Sequence, residues 1–300
     1  MKPTISVCSV IIALTISCNI TEQDPVDPIP WHLLSGRIVF SGVNNFKAYI
    51  YTFDIPNKRT LQLTTGSACS WSPDGVFLAI LDTDNPEEIP NRIRIVQPAP
   101  YSDSGYSFPS RKLSPPAWSP TGEIGFTSYP LPTGDASLYI NDQQVFTSPR
   151  LIGTNVAFTP DNQSLVLTLL DSVGSDTGQL YKYQRIGGSF ELFINIIDTT
   201  GFQYLLNPEF SHDGRSIVFE RSFDHRSFGG VLSREIWVAD SSGSILKRLT
   251  SGSSDTDPTW SPDDSKILFS RKAQLFMIDT TGNNLVQISE FAGISPSWTN

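Results

Sequence analysis

The 300-residue chain has three histidines, three cysteines and two methionines, and these scarcities remove whole classes of chemistry. His32, His212 and His225 are scattered along the sequence and do not read as a zinc triad. Cys8 falls in an N-terminal leader, so Cys69 has only Cys18, an expected anchor, as a companion. No internal disulfide framework is expected. There is no Gly-x-Gly, no Gly-Lys-Ser/Thr, no Cys-x-x-Cys and no His-Glu-x-x-His, and the Gly-x-Ser-x-Gly nucleophile elbow is also absent. Positive charge is scarce too: 21 Lys and Arg against 30 Asp and Glu give a net charge of −9. That balance argues against a nucleic-acid partner and against an electrostatic grip on anionic lipid.

What the chain does contain is a short phrase used six times. It reads Ser70-Trp71-Ser72-Pro73-Asp74-Gly75, Ala117-Trp118-Ser119-Pro120-Thr121-Gly122 and Ala157-Phe158-Thr159-Pro160-Asp161-Asn162. It returns as Glu209-Phe210-Ser211-His212-Asp213-Gly214 and Thr259-Trp260-Ser261-Pro262-Asp263-Asp264, then ends as Ser297-Trp298-Thr299-Asn300. The aromatics at 71, 118, 158, 210, 260 and 298 are 47, 40, 52, 50 and 38 residues apart. Periods of roughly 40–50 residues are the mark of propeller blades.

Each phrase sets an aromatic at the end of one strand and then a tight turn, because Pro presets φ while Asp, Gly and Asn tolerate turn positions. A run such as Ile217-Val218-Phe219 follows, then a third strand such as Glu235-Ile236-Trp237-Val238, a second turn and a fourth strand. Four antiparallel strands make one blade. The aromatics are expected to pack between blades, and the Ser and Asp of the phrase to be turn chemistry. Gly36-Arg37-Ile38-Val39-Phe40-Ser41 matches Gly122-Glu123-Ile124-Gly125-Phe126-Thr127 position for position, so the N-terminal strands should complete the blade begun by Trp298. The expected fold is all-β: a six-bladed β-propeller of four-stranded blades, residues 35–300, its ring closed by the N-terminal strands joining the C-terminal strand.

The six phrases, with the Ile-Tyr-x-x-Asp and Arg-Leu-Thr stretches between them, resemble the TolB-like (WD-repeat-like) β-propeller repeat family. The departures are Thr121 for Asp, Phe158 and Phe210 for Trp, and His212 for Pro. Propellers of this family often cap a serine peptidase domain, and no such active site is expected from this sequence. Others are metal-dependent lyases that gather several His ligands, which this chain lacks.

Residues 1–17 read as a secretory leader, with Lys2 followed by an acid-free, largely apolar run from Thr4 to Ser17. That run is shorter than the ~20 residues a spanning helix needs. Leu14-Thr15-Ile16-Ser17-Cys18 resembles a bacterial lipobox, although Thr15 stands where Leu is commoner. The resemblance implies lipidation of Cys18 and attachment to the membrane through that anchor only. Asn19, rather than Asp, resembles lipoproteins of the Gram-negative outer membrane. Residues 18–34, with Glu22, Asp24, Pro25, Asp27, Pro28 and Pro30, read as an acidic, Pro-rich tether.

Insertions at about 82–90, 171–189 and 222–233 all join second to third strands, so a ring should carry them to one face, where propellers bind. They supply the candidate partner-binding residues Tyr181, Tyr183, Asp224, His225, Arg226 and Phe228, with an extra hairpin expected around 180–183. Asp82, Asp84, Glu87 and Glu88, and separately Asp255 and Asp257, are acidic groups without the ligand spacing of a cation site. No catalytic residue, metal or cofactor is expected. The function expected is a non-enzymatic envelope lipoprotein whose propeller binds a protein or peptide. The alternative is an envelope carbohydrate-binding protein or enzyme using the propeller channel as its pocket.

Overall fold

In a computed structural model of the chain, the repeated phrases fold as turns with one shared hydrogen-bond pattern. The Ser72 hydroxyl donates to Asp74 Oδ1 at 2.5 Å and accepts the Phe77 amide at 2.9 Å, while the Val76 amide reaches Asp74 Oδ1 at 3.0 Å. Thr159 with Asp161, Ser211 with Asp213 and Ser261 with Asp263 repeat the same arrangement. The last residue of each six-residue phrase is left-handed: Gly75, Gly122, Asn162, Gly214 and Asp264 have φ between 56° and 88°. These are the residue types that enter that region at least cost.

The structure describes residues 34–299 apart from 45–46, 83–88, 99–100, 132–133, 152–154, 171, 174–176, 187–188, 197–202, 224–232, 245 and 252–253. The described residues form strands and turns with no helix, an all-β propeller-type fold. β1 (Arg37–Asn44), β2 (Lys47–Asp54) and β3 (Arg59–Thr65) pair in order. β4 (Ala68–Trp71), β5 (Leu78–Asp82), β6 (Arg92–Pro98) and β7 (Tyr101–Ser107) make a separate four-stranded sheet. In the next sheet β8 (Arg111–Leu113) and β9 (Ala117–Trp118) share one edge of β10 (Ile124–Pro130), followed by β11 (Ala136–Ile140) and β12 (Gln143–Ser148). Pro115 and Pro116 divide β8 from β9, since proline brings no ladder donor.

Then come β13 (Ala157–Phe158), β14 (Ser164–Leu170), β15 (Gly178–Ile186) and β16 (Ser189–Ile196), and after them β17 (Gln203–Phe210), β18 (Ser216–Phe223), β19 (Ser233–Asp240) and β20 (Leu246–Arg248). These eight are hydrogen-bonded into one sheet, because Gly178 and Tyr204 form a parallel bridge between β15 and β17. β21 (Asp255–Trp260), β22 (Lys266–Arg271), β23 (Gln274–Asp279) and β24 (Val286–Ala292) form the last four-stranded sheet. β25 (Ile294–Thr299) pairs with β1, with Ile38 opposite Trp298 and Val39 opposite Ser297.

Successive strand sets are buried on both faces. On β14, Leu165, Leu167 and Leu169 pack toward Leu138 and Ile140, while Val166 packs toward Leu205, Ile217 and Phe219. Ile38, Phe40 and Trp298 pack against Leu268, Leu275 and Met277 in the same manner. Approach between sets is close enough that a Cβ on Gly125 would lie 2.7 Å from Phe158.

This double burial corrects one expectation. Tyr181 and Tyr183 are not in an inserted hairpin; they lie in β15, the third strand of its set, with Tyr181 opposite Leu167 and Tyr183 opposite Leu165. Leu180 packs toward one neighbouring set and Tyr181 toward the other, so the start of the strand is buried on both faces. The connection from β14 to β15 shrinks accordingly to residues 171–177.

Candidate functional site

The first strand of each set, β4, β9, β13, β17, β21 and β25, lines a single central cavity of about 390 Å³. Its size is within the range of small-molecule sites. One residue before each phrase aromatic sits on this wall: Ser70, Ala117, Ala157, Glu209, Thr259 and Ser297. Five are small and one is a carboxylate. The repeat with that carboxylate is also the one in which His212 replaces the phrase proline, and His212 lines the cavity as well.

Glu209 is held across the seam between β17 and β21. Its Oε1 accepts the Thr259 hydroxyl at 3.0 Å and the Trp260 amide at 2.9 Å. Burial pushes its carboxyl up to about 7, against the pull of the Trp260 amide, the Thr259 hydroxyl and nearby His212. At the turn end of the cavity, His212 Nδ1 lies 2.7 Å from Asp264 Oδ1. Asp264 also accepts the backbone amides of His212 and Asp213 at 2.9 and 3.0 Å.

At the opposite end, β-bulges interrupt β17 and β21 just before Phe210 and Trp260. Asn207, Asp257 and Ser295 each adopt left-handed backbone in front of a proline, with φ of 50°, 51° and 48°. Asn207 Nδ2 donates to Asp257 Oδ1 at 3.0 Å and to Glu220 Oε2 at 3.3 Å. Asp257 Oδ2 accepts the Ser295 amide at 3.3 Å. Burial raises the Asp257 carboxyl and pushes Glu220 up to about 7, the latter opposed by Arg234 at 3.3 Å. Asn155 lines the same cavity, and its Oδ1 is buried without a hydrogen-bond partner among the described residues.

Of the candidate partner-binding residues, Tyr181 is only 7% exposed and its hydroxyl accepts Arg150 Nη2 at 2.7 Å, so it is a core residue rather than an anchor on the surface. Tyr183 stacks on Phe146 with ring centroids 5.1 Å apart. Asp224, His225, Arg226 and Phe228 lie outside the described residues, as do Cys18 and most of the tether. Asp255 is clamped by Arg271 at 2.7 and 2.8 Å, and Asp82 pairs with Arg94 at 2.8 Å. Asp84, Glu87 and Glu88 lie outside the described residues. Among the described residues no three His, Cys, Asp or Glu side chains gather as a metal site. Comparison of the phrases gave Glu209 no role and counted His212 only as a departure from Pro. The signal that could have found them was their joint occurrence in one repeat.

A search of curated proteins finds none that matches the sequence significantly. Among solved structures, TolB from Acinetobacter baumannii is similar with a TM-score of 0.69 at 20% identity, over 88% of this chain and 66% of that one. The chain thus spans just under two thirds of that protein. A TolB candidate from Agrobacterium tumefaciens gives a TM-score of 0.61 at 18% identity, over 86% and 91%. Oligogalacturonate lyase from Vibrio parahaemolyticus gives 0.54 at 11% identity, over 85% and 75%. These likenesses establish fold alone. The profile of the TolB beta propeller domain matches residues 106–300, and the chain belongs to that family.

Proposed function

We propose that this chain is a non-enzymatic cell-envelope lipoprotein whose propeller is a protein-interaction module. The observation that carries the reading is the family membership, joined to a central cavity walled by the first strand of every set. The propeller is read as a ring of six four-stranded blades. In support, six buried clusters each link one strand set to the next, and β25 pairs with β1 so that the last set meets the first. The eight-stranded sheet then counts as two blades joined at one bridge. The hydroxyl and carboxylate pairs of the phrases are engaged in their own turns, which favours a binding role over a catalytic one for them.

Cys18 is proposed as the lipidated anchor, holding the propeller off the outer membrane by the 18–34 tether. Blocking it with Cys18→Ala should release soluble protein or leave an unprocessed precursor. The protein or peptide partner is proposed to approach the end of the cavity from which the connections 83–91, 171–177 and 224–232 leave. Capture from detergent-solubilised envelope with the full-length chain should retrieve a discrete partner, and shortening these connections should weaken retrieval while leaving folding nearly intact. Capture no better than from a tag-only control would sink the reading. The Glu209–His212 pair favours one alternative, an envelope carbohydrate-binding protein or enzyme using the channel as its pocket. That reading would require sugar binding abolished by changes at these two residues.

A further inference from the structure

The lining of the central cavity is unbalanced in its hydrogen-bonding chemistry. Eight of its residues are prolines, which offer carbonyl acceptors but no amide donors. Most of the donors that remain are engaged across the seams between sets, although the Trp71 indole nitrogen is buried without a partner among the described residues. The Trp71 amide donates to Ser297 Oγ at 3.1 Å, the Ser70 hydroxyl to the Pro116 carbonyl at 2.9 Å, and the Trp118 indole to the Ser70 carbonyl at 3.2 Å. The Thr259 hydroxyl and the Trp260 amide both point to Glu209 Oε1, and His212 Nδ1 is engaged with Asp264.

Acceptors are left over as well. Asn155 Oδ1 is buried with no partner among the described residues, and Glu209 has both of its hydrogen bonds on one oxygen. The wall carries two carboxylates, Glu209 and Asp257, and no Lys or Arg. A buried acceptor without a donor is costly, and a guest that brings donors recovers that cost. A cationic guest adds Coulomb attraction in a site partly shielded from water, and the net charge of −9 steers cations toward the protein. Indole and phenyl groups also line the wall, and aromatic rings attract ammonium and guanidinium groups.

We propose that the central cavity is a receptor for an alkylammonium or guanidinium group, seated against Glu209 and Asn155 between proline and aromatic walls. The inference deepens the interaction-module reading, and rests on it only for the source of the cation: a Lys or Arg side chain of an extended partner segment. A free polyamine carries the same chemistry and is the other source.

The test uses the detergent-solubilised full-length chain at pH 8, where Glu209 is ionised. Intrinsic tryptophan fluorescence and calorimetry would follow titration with blocked Ala-Ala-X-Ala-Ala peptides, X being Lys, Arg, norleucine or Glu. Agmatine and calcium chloride are titrated in parallel. The Lys and Arg peptides should bind at least ten times more tightly than the norleucine and Glu peptides. Glu209→Gln should lose at least tenfold, with no fall in melting temperature, because the amide oxygen still accepts from Thr259 and Trp260. Binding of the peptides but not agmatine assigns the cation to a polypeptide; equal binding of agmatine assigns the cavity to free amines. Norleucine binding as well as Lys, an unaffected Glu209→Gln variant, binding of calcium alone, or no cation binding would each overturn the proposal. A partner retrieved equally by parent and Glu209→Gln protein would leave the interaction-module reading standing while the cavity proposal fell.

Discussion

Replacing Glu209 with Gln should make the protein more stable at pH 8 and leave it unchanged at pH 4.5. In the folded protein, burial against the cavity wall raises the carboxyl from its ordinary 4.5 to about 7. A group whose pKa is raised by folding holds its proton more tightly in the folded state. Its stabilising contribution is therefore complete below about pH 4.5 and lost as pH rises through about 7. At ~1.4 kcal/mol per pH unit, the interval between the two values sets an upper bound of about 3 kcal/mol. Glu209 borders an open cavity, so solvent screening reduces the expected gain to roughly 1–2 kcal/mol. Glutamine keeps the acceptor for the Thr259 hydroxyl and the Trp260 amide while never carrying the charge. Glu220 and Asp257 are raised in the same direction, but they are common to both proteins and cancel in the difference. Urea unfolding of parent and variant at intervals from pH 4.5 to 8.5 would trace the curve. A difference that does not change with pH, or a variant less stable at pH 8, would refute the account of Glu209 as a buried, charge-disfavoured carboxylate.

Removing residues 295–300 should lower stability by at least the roughly 3–5 kcal/mol typical of losing one large buried aromatic, since Trp298 is 6% exposed in the core and its indole donates to the Ser35 carbonyl at 3.0 Å. A truncated protein that melts at the same temperature without aggregating would contradict the pairing of β25 with β1. Ala273→Gly should stabilise by about 0.5–1 kcal/mol, read by denaturant midpoint, because Lys272 and Ala273 form a two-residue hairpin loop with φ of 51° and 60° that suits glycine better than alanine. Cys69 should not react with Ellman's reagent until the protein unfolds, because burial both excludes the reagent and pushes its thiol far up. Rapid reaction in native buffer would show the second strand set to be open.

The amino-acid sequence by itself determined the turns and the repeat. Ser, Pro, Asp and Gly act within six residues, so Ser72 and Asp74 could be assigned to turn chemistry before any tertiary contact was known. The aromatic before each turn announced burial, and the match between 36–41 and 122–127 anticipated that the N-terminal strands would pair with the strand of Trp298. Strand identity was less legible where both faces of a sheet are buried. Leu180-Tyr181-Lys182-Tyr183 reads as a strand from its residues, but only packing on both sides reveals it as the third strand of its set rather than an added hairpin. The cavity chemistry belongs to tertiary structure alone. Glu209 meets Thr259 and Trp260, and His212 meets Asp264, across 50 to 52 residues of sequence. Asn155 Oδ1 counts as an unmatched acceptor only once burial removes water from it. Local patterning specifies what each repeat becomes, whereas the differences among repeats acquire chemical meaning only when the first strands of all the sets face one cavity.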